Sequence, residues 1–189
     1  YRKINLPNYG VFDEKRYFEA GESALVANFG GVPIGVNICE DIWLDAGPTA
    51  AQVRIGGARV IVNISASPYH AGKGREREKL VQRRARENGC WLCYLNLVGG
   101  QDELVFDGCS VIVAPDGRTI VRGKAFAEDL IFADIDPAEG WPESTRPESA
   151  RRLSPFGGLH RRVEVVELPA LPSNRETQAS KSRRAAYLD

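Results

Sequence analysis

The sequence predicts a layered α/β domain, and three observations predict it. Short aliphatic, β-branched runs recur at residues 24–29, 32–38, 59–64 and 90–98. Helical patterns occupy 48–58 and 74–88, between those runs. Glycine and proline turn signals punctuate the whole series. With 189 residues the chain is long enough for one sizeable core and short for two.

Residues 1–18 read as the end of a strand carrying Lys3, then a loop broken at Pro7, Asn8 and Gly10. The runs 24–29 and 32–38 are separated only by Gly30 and Gly31, a two-residue hairpin signal. The second run delivers Cys39 to its far end, followed by Glu40 and Asp41. Residues 48–58, with Ala50, Ala51, Val53 and Ile55, predict a helix closed by Gly56 and Gly57. Residues 59–64 are almost wholly aliphatic, the pattern of a strand covered on both faces. The polar stretch 74–88 has only Leu80, Val81 and Ala85 as an apolar stripe and Gly89 as its stop. It predicts a surface helix whose mixed Arg/Glu pattern is a solvated face.

Residues 90–98 read as a buried strand and 99–103 as a loop. Residues 109–114 and 119–122 form a strand pair around the turn 115–118, and 128–135 reads as the last strand. Beyond Asp136 the composition changes: Pro137, Pro142, Pro147, Pro155, Pro169 and Pro172 recur among charges. Only 163–168 resembles a strand there. Residues 1–136 are therefore read as the domain and 137–189 as an extended, Pro-rich arm or linker. The chain begins at Tyr1 and contains no Met, so it reads as a piece of something longer.

Lys plus Arg (25) balances Asp plus Glu (25), which leaves no global field to attract nucleic acid or an anionic membrane. The apolar runs are too short to cross a bilayer and no signal-peptide pattern opens the chain, which points to a soluble, cytoplasmic protein. Cys90 and Cys93 form a C-x-x-C inside an apolar run and read as small buried hydrophobes. With only two histidines, no metal site is expected. Cys39 differs, because it stands where a strand stops and a turn begins. A thiol becomes a nucleophile as the thiolate, which nearby cations favour; the alternative is one more buried cysteine.

Four blocks come in one order: Lys-x-x-Leu-Pro-Asn-Tyr-Gly-Val-Phe-Asp-Glu at 3–14, Asn-Ile-Cys-Glu-Asp-Ile-Trp at 37–43, Asn-Ile-Ser-Ala-Ser-Pro-Tyr-His-Ala-Gly-Lys at 63–73, and Val-Gly-Gly-Gln-Asp-Glu-Leu-Val-Phe-Asp-Gly at 98–108. Together they resemble the glutamine amidotransferase domain of glutamine-dependent NAD synthetases, a branch of the nitrilase superfamily. The resemblance implies a nitrilase-like α-β-β-α sandwich, incomplete at its N-terminus, and a Glu, Lys and Cys triad. Cys39 matches the nucleophile and Lys3 the lysine, whose ammonium would favour the thiolate and stabilise an oxyanion. The general-base glutamate should lie upstream of Lys3, outside these residues, so the fragment alone is expected to be inactive.

By the same resemblance Tyr9, Glu40, Ser67 and Lys73 line the glutamine pocket, where Glu40 and Lys73 suit the substrate's ammonium and carboxylate. His70 reads as packing or capping, and Asp102 and Glu103 as orienting a loop or meeting a partner domain. The family's ATP- and Mg-dependent synthetase domain would be covalently linked beyond the arm. Its Ser-Gly-Gly-x-Asp-Ser loop is not matched here, the nearest residues being Gly157 and Gly158, so no cofactor is expected in this chain. A homo-oligomer is implied. The alternatives are a free-standing nitrilase-like amidase and a non-catalytic interaction module.

Overall fold

Gly30 and Gly31 take φ of 58° and 84°, and the tight turn they make joins β1 (Ser23–Phe29) to β2 (Val32–Ile38) in antiparallel register. The computed structural model describes residues 1–140 and 162–169. From β2 the chain passes through a 3-10 turn, Cys39–Ile42, and helix α1 (Pro48–Arg54) into β3 (Val60–Ser65). Helix α2 (Lys73–Asn88) then leads to β4 (Trp91–Asn96). Both crossovers return parallel, β2 to β3 and β3 to β4. A hairpin of β5 (Val98–Gln101) and β6 (Leu104–Asp107) stands apart as its own two-stranded sheet. Strands β7 (Val111–Val113) and β8 (Thr119–Arg122) extend the main sheet, and β9 (Arg162–Leu168) runs parallel to β1 at its other edge. The order is β8-β7-β4-β3-β2-β1-β9.

Both helices pack on one face. Val53 of α1 and Leu80, Val81 and Ala85 of α2 join Val26, Ile61, Leu92, Tyr94, Val111 and Val113 in one buried cluster. Gly35 lets α1 approach β2 closely, since a Cβ there would lie 2.6 Å from Ile61 Cδ1 and 3.0 Å from Gln52. On the opposite face Val60, Trp91 and Ala114 pack with Ile34, Cys93, Ile112 and Ile135. Trp91 Nε1 also donates to the Asp136 carbonyl at 2.8 Å.

Several sequence expectations are corrected here. Residues 59–64 are covered on both faces only toward their start, where Val60 and Ile61 are buried in opposite clusters; Ile64 is 47% exposed, beside Leu95 at 54%. Lys3 is not on a strand but in an irregular segment, and 128–135 forms no strand either. That second stretch keeps the alternation of a strand, with Ile131 and Ile135 half-buried and Leu130 and Phe132 exposed. Among the described residues no neighbouring backbone offers it a hydrogen-bond ladder, and alternation alone does not make one. The expected loop at 99–103 lies largely within the β5–β6 hairpin, turned by Asp102 at φ 49°.

The solvated-face reading of α2 fails at two arginines. Arg77 is buried against Asp107, and Arg84 donates to the carbonyls of Ile42 (2.8 Å) and Trp43 (2.7 Å). Within the arm, β9 docks on this same sheet; the remainder of the arm, with Gly157 and Gly158, lies outside the described residues.

Candidate active site

Cys39 takes φ 45°, a left-handed conformation that is strained for a residue with a Cβ. It does so at the junction of β2 and the 3-10 turn, which turns the thiol out of the sheet into a cleft of about 620 Å³. Asp41 holds that turn. Its Oδ2 accepts the Ile38 N–H at 3.1 Å and the Tyr1 hydroxyl at 2.7 Å, while Oδ1 accepts the Asn5 N–H at 2.8 Å and Asn5 Nδ2 at 3.0 Å. The carboxylate thereby pins the irregular first residues to the turn that carries Cys39, replacing the strand that the sequence suggested.

Lys3, carried by that segment, lines the same cleft as Cys39, together with Leu6, Phe12, Glu14 and Ala66. Its ammonium donates to both Glu14 oxygens at 2.7 Å. Burial pushes the Cys39 thiol up; the Lys3 ammonium, the Ala66 backbone N–H and the Ser65 hydroxyl pull it down, and Glu40 pushes it up. Burial outweighs the rest, so Lys3 acts in the expected direction without making the thiolate the dominant form at neutral pH.

Tyr9 and Glu40 meet at the surface, the phenol hydroxyl donating to both carboxylate oxygens at 2.9 Å. The Tyr9 phenol is pushed up to about 12 by desolvation and then by that carboxylate. Phe12 packs edge-on against Tyr9, ring centres 5.7 Å apart.

The sequence pattern of the family described as carbon-nitrogen hydrolase matches residues 1–140. The chain belongs to the carbon-nitrogen hydrolase family. Within that family it is 48% identical over 139 residues to a glutamine-dependent NAD(+) synthetase of Aquifex aeolicus, covering 74% of this chain and 24% of that protein. A glutamine-dependent NAD+ synthetase of Acinetobacter baumannii, solved in complex with ADP, aligns with a TM-score of 0.64 at 40% identity, over 68% of this chain and 24% of that one. An amidase mutant from Nesterenkonia sp. AN1, with acrylamide added at its active-site cysteine, aligns with a TM-score of 0.57 at 30% identity, over 66% and 46%. This carbon-nitrogen hydrolase chain thus spans about a quarter of the length of the synthetase relatives it matches. Its mixed sheet with helices packed on one face is the nitrilase-like fold that the four sequence blocks implied.

The cleft of this carbon-nitrogen hydrolase unites Cys39 and Lys3, while Tyr9 and Glu40 pair with each other at the exposed surface. Two other sequence candidates sit elsewhere. Ser67 is buried, its N–H donating to Asn96 Oδ1 at 2.8 Å and its carbonyl accepting Arg77 Nη1 at 3.2 Å. Lys73 lies over the Trp43 ring, 4.1 Å from its centre, and 3.2 Å from Glu76. Glu14 and Asp41 are the site residues that sequence reasoning passed over. For Glu14 the signal was its place at the end of the block that begins with Lys3; for Asp41, a carboxylate two residues after Cys39 that had to find donors once buried.

Proposed function

We propose that this carbon-nitrogen hydrolase chain is the glutamine-hydrolysing part of a glutamine-dependent NAD synthetase. The observation that carries the reading is that Lys3 and Cys39 line one cleft, with the Lys3 ammonium held by Glu14. Cys39, as thiolate, attacks the side-chain amide carbon of glutamine. The C–S bond forms, the carbonyl becomes an oxyanion, and the Lys3 ammonium stabilises it. Collapse breaks the C–N bond; with a proton delivered to nitrogen, ammonia leaves and a thioester remains. Water then cleaves the thioester to glutamate and returns the thiol.

The thiol proton needs an acceptor that later serves the leaving nitrogen, a step worth ~10² to 10⁴ in rate. Glu14 is paired with Lys3, and the family resemblance gives that role to a glutamate upstream of Lys3, without which the chain would be inactive. Glu40, at the Tyr9 rim, receives the substrate's α-ammonium. Ser67 and Lys73 serve its α-carboxylate, Lys73 by leaving Glu76. The ammonia is consumed in an ATP- and Mg-dependent amidation of nicotinic acid adenine dinucleotide by a linked synthetase domain beyond the arm at 137–189, in a cytoplasmic homo-oligomer.

A glutamine-analogue electrophile tests the reading in the longer protein. Peptide mass spectrometry should find the label on Cys39, and a label centred on Cys90 or Cys93 overturns it. The likeness to the Nesterenkonia amidase supports a second reading, an amidase acting on simple amides. Faster turnover of acetamide than of glutamine would favour that one.

A further inference from the structure

The segment that carries Lys3 is seated by hydrogen bonds and by packing. Asp41 takes the N–H groups of Ile4 (3.3 Å) and Asn5 (2.8 Å), and the Lys3 carbonyl accepts the Gly21 N–H at 2.8 Å. The remaining support is apolar. Ile4, 5% exposed, packs with Ala24 of β1 and Ala51 of α1, and two half-buried side chains close that cluster, Tyr1 and Val163. Val163 comes from β9, where it is the register partner of Ala24. It also packs on the main core cluster, and the space it fills exists because residue 56 is glycine: a Cβ there would lie 2.8 Å from Val163 Cγ1 and 2.5 Å from Val26 Cγ2. Segment and strand face each other again at the surface, where Tyr1, Arg2 and Glu164 line one cavity of about 290 Å³.

We propose that Val163 is a positioning residue for Lys3: by packing with Ile4, strand β9 completes the seat of the segment that presents the ammonium to the cleft of Cys39. The proposal rests on reading Lys3 and Cys39 as the catalytic pair. Lys3 and Ile4 are neighbours with divided duties, Lys3 lining the cleft with Cys39 and Ile4 filling the cluster behind it. The bonds to Asp41 fix the backbone at residues 4 and 5 but leave the Ile4 side chain to packing. An irregular segment has no ladder of its own, so an apolar anchor is what limits its local opening. Strand β9 can supply that anchor at one point only, since Val163 alone among residues 162–168 is not exposed. This strand lies outside residues 1–140, which the family pattern matches. The arm thus adds a support to the site that the matched domain does not itself contain.

Amide exchange in the 189-residue chain, followed residue by residue by NMR, reads the seat directly. Val163→Ala removes two methyl groups from a half-buried site. It should speed exchange at Ile4, Asn5 and Gly21 by about threefold to tenfold, with less change in β7, which lies toward the other edge of the sheet. Val165→Ala removes the same atoms from a position of β9 that is 56% exposed, and should change those amides by less than about twofold. In the longer protein Val163→Ala should lower the glutaminase kcat by about threefold to tenfold and leave KM within about twofold, because it disturbs the placement of Lys3 and no substrate contact. The same substitution should cost less than about twofold in a Lys3→Gln background, where no ammonium is left to misplace.

Equal acceleration of exchange in β7 overturns the proposal, since Val163 would then stabilise the whole sheet and not the segment. An equal effect of Val165→Ala overturns it too, as does an unchanged kcat in Val163→Ala or a loss as large without the lysine charge as with it. Should Val163→Ala fail to fold, Val163→Thr, which exchanges one methyl for a hydroxyl, is the milder variant on which the same two measurements decide. A kcat that Lys3→Gln leaves within about threefold of the parent would instead sink the catalytic reading of Lys3 and this proposal with it, even where exchange showed Val163 seating the segment.

Discussion

The Asp41 carboxylate takes the backbone N–H of Asn5 at 2.8 Å, which ties the segment carrying Lys3 to the turn carrying Cys39. The same group accepts Ile38 N–H and the Tyr1 hydroxyl. Asp41→Asn keeps the shape but turns one acceptor into a donor that faces donors. Leaving buried donors unpaired costs about 1 to 3 kcal/mol, or roughly 3 to 8 °C for a chain of this size. Thermal unfolding measures it; a midpoint within a degree of the parent would show that Asp41 does not hold the segment.

Alkaline pH should unfold the chain through groups held neutral by burial. Cys90, fully buried in the core beneath α2, is pushed up from 9.0 to about 12, and Tyr94 from 10.0 to about 12. Both pKa values are higher folded than unfolded. Their contribution is therefore complete below pH 9 and is lost as pH rises toward 12. By pH 10.5 Cys90 alone accounts for roughly 2 kcal/mol, since the unfolded thiol ionises and the folded one does not. Urea midpoints for the parent and Cys90→Ala at pH 8 and pH 10.5 test this. The variant should lose less stability between the two pH values, and equal losses would refute the assignment.

Where local chemistry decides, the sequence was legible. Two glycines are enough to specify the β1–β2 turn, and the strand that follows must end where Cys39, Glu40 and Asp41 begin. The placement of Lys3 beside Cys39 could be read only from motif order, because the contact closes through Asp41 and Asn5, which lie 36 residues apart. Arg77 and Arg84 were misread for the same physical reason. Their partners, Asp107 and the carbonyls of Ile42 and Trp43, come from other elements, and no helical period encodes them. The 128–135 stretch failed in the opposite way: its alternation is real, but a strand also needs a neighbour for its backbone.

Lys3→Gln retains length and a hydrogen-bond donor but removes the charge. Glu14 then faces a neutral amide in place of an ammonium 2.7 Å away. Under the proposed reaction the loss falls on oxyanion stabilisation, so kcat in the longer protein should drop by ~10² to 10³ with KM little changed. Steady-state glutaminase kinetics, with thermal unfolding to confirm the fold, provide the test. A kcat within about threefold of the parent would make Lys3 a structural partner of Glu14 and nothing more.

Cys39→Ala separates the two halves of the proposed reaction. Under the proposed function the thiol only liberates ammonia, whereas amidation would take place in a linked synthetase domain. The longer protein carrying the substitution should therefore form no NAD from glutamine, yet retain its rate when ammonia is supplied directly. The substitution leaves the backbone strain as it is, because alanine at φ 45° pays the same penalty, and it removes only a half-buried sulfur from among Lys3, Glu40 and Ser65. Folding should thus be preserved, and thermal unfolding should show a midpoint close to that of the parent. NAD formation with glutamine and with ammonium salt, measured side by side, reads the outcome. Parallel loss of both activities in a folded variant would mean that Cys39 serves the structure of the whole protein and not the release of ammonia.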